Sequence, residues 1–210
     1  LTITASFGTS VPPYPSGISV SGFPTSGAIV TSVAINGVTH TNPDDIDVLL
    51  RSPNGTNVVL MSDVGGTGNI SGNNYTIQDG ASAFSDAGTN ASGTYAPTNF
   101  ETTDNFASPG PGSITQPSPA ISSFSGNFNG TWNLYVVDDN ANFQGGSISS
   151  WSITFSVPVT YSWSPASGLN ATNTASVTAS PGTSTTYTVT VTNPLTGCTN
   201  SNTVAVTVKT

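Results

Sequence analysis

The stretch GTWNLYVVDDNANFQGGSISSWSITF, residues 130–155, decides the fold. Trp132–Val137 is a short, largely apolar run, and Ile148–Phe155 sets Trp151, Ile153 and Phe155 in alternation with Ser150, Ser152 and Thr154. Period-two alternation puts one side of a strand in a core and the other in water, and a short apolar run suits a buried strand. Working outward, Ile18–Val20, Ile29–Ile35, Ile46–Leu50 and Val58–Met61 carry the same signatures. Between them lie SPNGT (52–56), GGTGN (65–69) and PGPG (109–112), turns or loops by their Gly and Pro content. Many short strands joined this way predict a β-sandwich or barrel. The stretch 64–128 lacks apolar runs and is expected to be loop-dominated and exposed.

Composition agrees with an all-β class. Of 210 residues only 6% are charged, and 22 Gly and 15 Pro leave no segment with helical spacing of strong helix formers. Ser, Thr, Asn and Gly fill the polar positions, which suits exposed strands and tight turns. Two Lys/Arg against ten Asp/Glu give a net charge of −8. No phosphate-neutralising patch can be assembled from so few cations, so nucleic acid and anionic membranes are poor partners. No apolar run is long enough for a membrane span. The chain starts at Leu1, not Met, which reads as a processed mature protein or an excised fragment. Scarce trypsin sites fit a secreted, cell-surface setting, while the sequons at Asn54, Asn69, Asn74, Asn90, Asn129 and Asn170 are mostly what chance gives in a chain so rich in Asn, Ser and Thr.

All ten acidic residues precede position 140, and Val157-Pro158 follows close behind, so a domain boundary is expected near residue 157. This gives an N-terminal strand and linker over 1–12, a sandwich over 13–157 and a small module over 158–210. In the last, Thr160–Trp163, Ala175–Ala179, Thr185–Thr192 and Thr203–Val208 predict about four strands of an immunoglobulin-like module. A chain of that length without a disulfide or metal is marginal for an independent core. Cys198 is the single cysteine, so it is either idle or bridges to another chain.

Several spaced motifs resemble the P domain (homo-B domain) of proprotein convertases and of many bacterial secreted proteins. They are PYPS from Pro13, VTHTNPDDIDVLLRSPNGTNVVLMSDVGG from Val38, GTYAPTNF from Gly93 and the stretch from Gly130 quoted above. The resemblance covers about two-thirds of the chain and implies an eight-stranded jelly roll. In convertases that domain stabilises and tunes a neighbouring subtilisin-like protease domain, and in bacterial surface proteins it also occurs without one. The remainder, from Thr160, resembles the PKD or immunoglobulin-like repeats of Bacteroidota surface proteins. Those repeats usually begin with two further strands, one carrying a cysteine near a pattern like VTLTASG, that are missing before Thr160 here, and with them a partner for Cys198.

No catalytic constellation is read from the sequence. A Ser-His-Asp triad needs a histidine between nucleophile and carboxylate, and His40 is the only histidine, in a THT stretch that the P-domain resemblance assigns to a strand end. Gly8-Thr9-Ser10 is similar to the serine motif of subtilisins but lacks the accompanying Asp and His motifs. Metal binding is the better candidate, because nine of the ten acids are Asp, whose carboxylate suits Ca²⁺. The clusters are Asp44, Asp45 and Asp47, and Asp138 and Asp139. In a strand Asp45 and Asp47 would share a face and repel unless a calcium ion or donors lay between them. The alternative is that these carboxylates cap backbone N–H groups in Asx turns. Zinc and redox metals are excluded for want of His and Cys ligands. Trp132, Trp151 and Trp163 occupy strand positions, where core packing competes with a glycan-stacking platform.

The N-terminus supplies a different kind of candidate. Leu1, Ile3 and Ala5 alternate with Thr2, Thr4 and Ser6, the pattern of a half-buried strand, and LTITAS is similar to the VTLTASG strand missing from the C-terminal module. If one copy's strand fills its neighbour's gap, a homopolymer results, because a head-to-tail contact does not close on itself. Residues 1–6 and Cys198 are then the interface. The alternatives are a first strand in the chain's own jelly roll, an accessory module of a secreted protease, and a carbohydrate-binding adhesion module.

Overall fold

Strands form wherever β-branched and aromatic residues alternate with Ser, Thr and Asn, and they stop at Gly, Pro and Asp-rich turns. The computed structural model describes residues 2–4, 9–10, 13–101, 103–140 and 145–209. Among them the only helical elements are two single-turn 3₁₀ helices, Pro43–Asp45 and Ile121–Ser123. The chain is all-β and divides into two compact units, Leu1–Ser156 and Val157–Thr210.

In the first unit the strands are β1 (Thr2–Thr4), β2 (Thr9–Ser10), β3 (Ser16–Val20), β4 (Ile29–His40), β5 (Ile46–Arg51), β6 (Asn57–Ser62), β7 (Ile70–Ile77), β8 (Gly93–Tyr95), β9 (Thr98–Asn99), β10 (Asp104–Phe106), β11 (Gly112–Ile114), β12 (Gly130–Asp138), β13 (Gly145–Ser147) and β14 (Ser150–Ser156). One sheet runs β1-β13-β4-β7-β8 with β14 also on β4, and the other runs β2-β12-β5-β6-β9 with β3 also on β12. The chain crosses between the sheets from β3 to β4, β4 to β5, β6 to β7, β8 to β9 and β12 to β13, the exchange typical of a jelly roll. β12 lies between β3 and β5 with Trp132 opposite Ile18 and Leu134 opposite Leu50.

Strand parity divides the core in two. Even-numbered positions of β12 face the other sheet: the Trp132 ring lies 5.6 Å from Phe155 of β14 and 5.0 and 5.3 Å from Phe124 and Phe128. Trp132 is fully buried, and its Nε1–H donates to Phe128 O. Odd-numbered positions face outward, yet Leu49, Val59, Tyr135 and Val137 are buried there with Phe106, under Tyr14 and Ile114. Each such side chain removed from water contributes about 1.5–3 kcal/mol before entropy is counted. Phe106 and Ile114 of that second layer come from the stretch 64–128, which is not an exposed loop region. Val64, Ile70, Tyr75, Ile77, Phe84, Phe106, Ile121, Phe124 and Phe128 are all buried. They enter the core singly, from turns and short strands, so no apolar run announces them.

In the second unit β15 (Thr160–Ser164), β16 (Thr185–Thr192) and β17 (Thr199–Val206) form one three-stranded antiparallel sheet in that order. The expected strand Ala175–Ala179 is not one: it makes only an isolated bridge between Ala179 and Leu169. The loop bonds to itself instead, with Ser180 N donating to Gly168 O, Asn170 N to Thr178 O, and Thr178 N to the Asn170 side chain.

Candidate functional site

Ten acids and two basic residues in one chain mean that any buried carboxylate lacks a ready counter-charge. The fold nevertheless collects five carboxylates at one end of the sheet built on β12, β5 and β6. Asp47 is the second residue of β5, Asp63 follows β6, Asp104 opens β10, Glu101 precedes it, and Asp139 follows β12. One carboxylate oxygen from each of Asp47, Asp63 and Asp104 lies within 4.8 Å of the others, and the same holds for Asp63, Glu101 and Asp139. Asp63 belongs to both groups.

Local geometry shows how tightly the first group is held. Ser62 Oγ is 2.7 Å from Asp63 Oδ2 and 2.6 Å from Asp104 Oδ1, yet a hydroxyl has a single proton to donate. Asn99 Nδ2 donates to Asp104 Oδ2 at 2.8 Å, which orients the amide and leaves Asn99 Oδ1 buried with no donor. Asp47 is 2% exposed, and its Oδ1 has no hydrogen-bond partner either. Asp63 has φ +53°, the left-handed region that a non-glycine residue adopts only at some cost, and is the one non-glycine residue with positive φ among the described residues.

Burial and mutual repulsion push these acids upward. The Asp47 carboxyl lies well above its usual range, first through burial and then through the charges of Asp104, Asp139 and Asp63. Burial, with Glu101, Asp139 and Asp104 nearby, raises Asp63 to about 7 against the opposing Ser62 hydrogen bond. Burial, then Glu101, Asp45 and Asp138, raises Asp139 to about 6. Asp104 is raised by burial, with Ser62 and Asn99 opposing. A cation among them would add an attraction to each carboxylate that offsets these repulsions and draws the acids back down.

The residues expected from sequence are divided by the fold. Asp47 and Asp139 join the cluster, while Asp44, Asp45 and Asp138 lie outside both groups. Asp45 sits in the 3₁₀ turn Pro43–Asp45, so it does not share a strand face with Asp47; its Oδ1 accepts from Asn140 Nδ2 and its carbonyl from Asp139 N. Asp44 is raised by burial and then by Asp86 and Asp45. Asp138, at an inward position of β12, meets His40 Nε2 at 3.2 Å with both side chains fully enclosed. His40 Nδ1 lies 2.7 Å from Asn42 O, so the ring links the two sheets and no part of it reaches a substrate in solvent. Asp63, Glu101 and Asp104 are absent from the expected set, because none of them adjoins another acid in sequence and Glu101 and Asp104 lie inside the stretch 64–128 read as exposed loop. The usable signal is compositional: acids in a chain with only two basic residues to pair with them.

Of the expected interface, Thr2–Thr4 is β1, antiparallel to β13 of the same chain with Thr2 opposite Ser147, Ile3 opposite Gly146 and Thr4 opposite Gly145. Leu1, Ala5 and Ser6 lie outside the described residues, as does Gly8 of the GTS fragment; Thr9 and Ser10 pair with Asp138 and Val137. Cys198 is exposed. The C-terminal sheet carries Tyr161, Trp163, Tyr187, Val189, Val191, Val204 and Val206 on one face by register, and of these only Tyr187 is buried. Val204 is 49% exposed. Tyr187 Oη donates to Ser167 O, and Trp163 Nε1 to Thr174 O, so the loop covers one end of that face. Trp151 Nε1 donates to Ser16 Oγ between the sheets of the first unit.

No family model matches the chain, and no curated protein matches it.

Proposed function

We propose that this chain is a non-catalytic, extracellular structural protein that polymerises by β-strand complementation, residues 1–6 of one copy completing the C-terminal module of the next. The observation that carries this reading is the apolar face of the β15-β16-β17 sheet, where a single side chain is buried, beside a segment, Ala175–Ala179, that forms only one bridge. That segment has the sequence of a strand, yet it is held only within its own loop, by the bridge to Leu169 and the bonds between Thr178 and Asn170. An entering strand would pair with it and cover Val189, Val191 and Val204.

Six extended residues span about 20 Å, and Phe7–Ser16, once Thr9–Ser10 is released from β12, bridges up to about 33 Å to the jelly roll. The pairing of β1 with β13 inside one chain is the competing placement. It amounts to a three-residue ladder at a sheet edge. A segment able to occupy either place is what strand swapping exchanges between copies.

Deleting residues 1–6 and imaging the product tests the reading: filaments should disappear, and filaments that persist would overturn it. Adding a peptide of residues 1–16 to the deleted chain should raise the melting temperature of the C-terminal unit. No change would place the strand in its own jelly roll. A second reading, an accessory module beside a secreted subtilisin-like protease, draws on the resemblance and on the self-contained core of Leu1–Ser156. An upstream protease domain in the same reading frame would select it.

A further inference from the structure

The five carboxylates of the first unit carry an inference independent of polymerisation. At neutral pH they would bring up to five negative charges together. Within this unit the one basic residue, Arg51, is at the opposite end of β5 from Asp47, about 13 Å along the strand. His40, the one histidine, is enclosed with Asp138. A buried carboxylate oxygen with no donor, Asp47 Oδ1, and a buried amide oxygen in the same condition, Asn99 Oδ1, are acceptors awaiting something positive.

We propose that these residues form a paired calcium centre, one ion held by Asp47, Asp63 and Asp104 and a second by Asp63, Glu101 and Asp139, with Asp63 shared. Calcium takes six to eight oxygen ligands at about 2.3–2.6 Å, so oxygens up to about 5 Å apart can lie across one ion. The 4.8 Å spread in each trio falls inside that span. Magnesium usually keeps several waters and takes one or two carboxylates, fewer than either trio offers, and the all-oxygen donor set does not suit zinc. One divalent ion would leave the group strongly negative, whereas two nearly neutralise it. The left-handed backbone of Asp63 turns its carboxylate off the end of β6, where both trios meet. The ions would tie together the starts of β5 and β10 and the ends of β6 and β12, pinning the outer layer of the core.

Counting ions is the direct test. The full chain, stripped over a chelating resin, is titrated with CaCl₂ by calorimetry and weighed by native mass spectrometry. Two calcium ions per chain are expected, with a melting temperature that rises by about 5 °C or more at saturating calcium. One ion, or none, overturns the paired centre. Asp63→Asn should weaken both sites at least tenfold, and Asn tolerates the left-handed backbone at that position. Asp104→Asn should weaken one site and spare the other. Two unaltered sites in Asp63→Asn would overturn the shared ligand, and the wild-type count decides the stoichiometry even if a variant folds poorly. Loss of filaments on deleting residues 1–6 is read on a different assay, so the two proposals fail separately.

Discussion

Asp63 and Tyr14 show how position, more than residue type, sets the chemistry of a side chain. Asp63 is a carboxylate held against others by a backbone conformation that few residues accept. Tyr14 is partly buried on the outer layer, packed edge-on against Tyr135 at 5.2 Å, with its hydroxyl donating to Ala107 O at 2.9 Å. Burial, and then Tyr135, raises its hydroxyl from 10.0 to about 12. Below pH 10 both folded and unfolded chains hold that proton. Between about pH 10 and 12 the unfolded chain releases it first, so stability falls as pH rises through that window. Tyrosinate absorbance should show one group titrating near 12 that is absent in Tyr14→Phe, and the variant should lose less stability between pH 10 and 12. Titration of that group at 10 would remove it from the outer layer. The acidic residues teach the same lesson: Asp138 and Asp139 are adjacent in sequence, but Asp138 ends β12 facing His40 while Asp139, just past the strand, lies beside Asp63.

At the scale of elements, β5, β6 and β12 are unusual in being buried on both faces. Apolar runs such as Val48–Leu50 and Val58–Met61 record this in sequence, but the cover on the outer face does not. The short hairpin β10–β11 supplies much of it, pairing Asp104 with Ile114 and Phe106 with Gly112. Phe106 is wholly buried. Replacing it with Ala should cost about 3–5 kcal/mol by chemical denaturation, the range for an aromatic lost from a packed site. A cost under about 1 kcal/mol would mean that the hairpin lies loosely on the sheet. Because Asp104 begins the same strand, the hairpin both roofs the core and delivers a carboxylate.

For the whole molecule, the two units differ in how completely each closes. Leu1–Ser156 buries a double-layered core, whereas among the described residues of Val157–Thr210 the only buried apolar side chain is Tyr187. Calorimetry of the chain should give two transitions, the lower from the C-terminal unit, and residues 1–156 alone should reproduce the upper one. A single shared transition would mean that the units unfold as one. The sequence by itself determined the all-β class, the central strands and the want of basic partners, since alternation, turn residues and composition are local quantities. Only the tertiary structure decided that the stretch 64–128 is core, that Ala175–Ala179 remains a loop, and that Asp47, Asp63, Glu101, Asp104 and Asp139 converge. Those outcomes depend on which distant segments come to lie side by side, and a carboxylate 57 positions from another along the chain, as Asp104 is from Asp47, carries no mark of that neighbour until the sheets close.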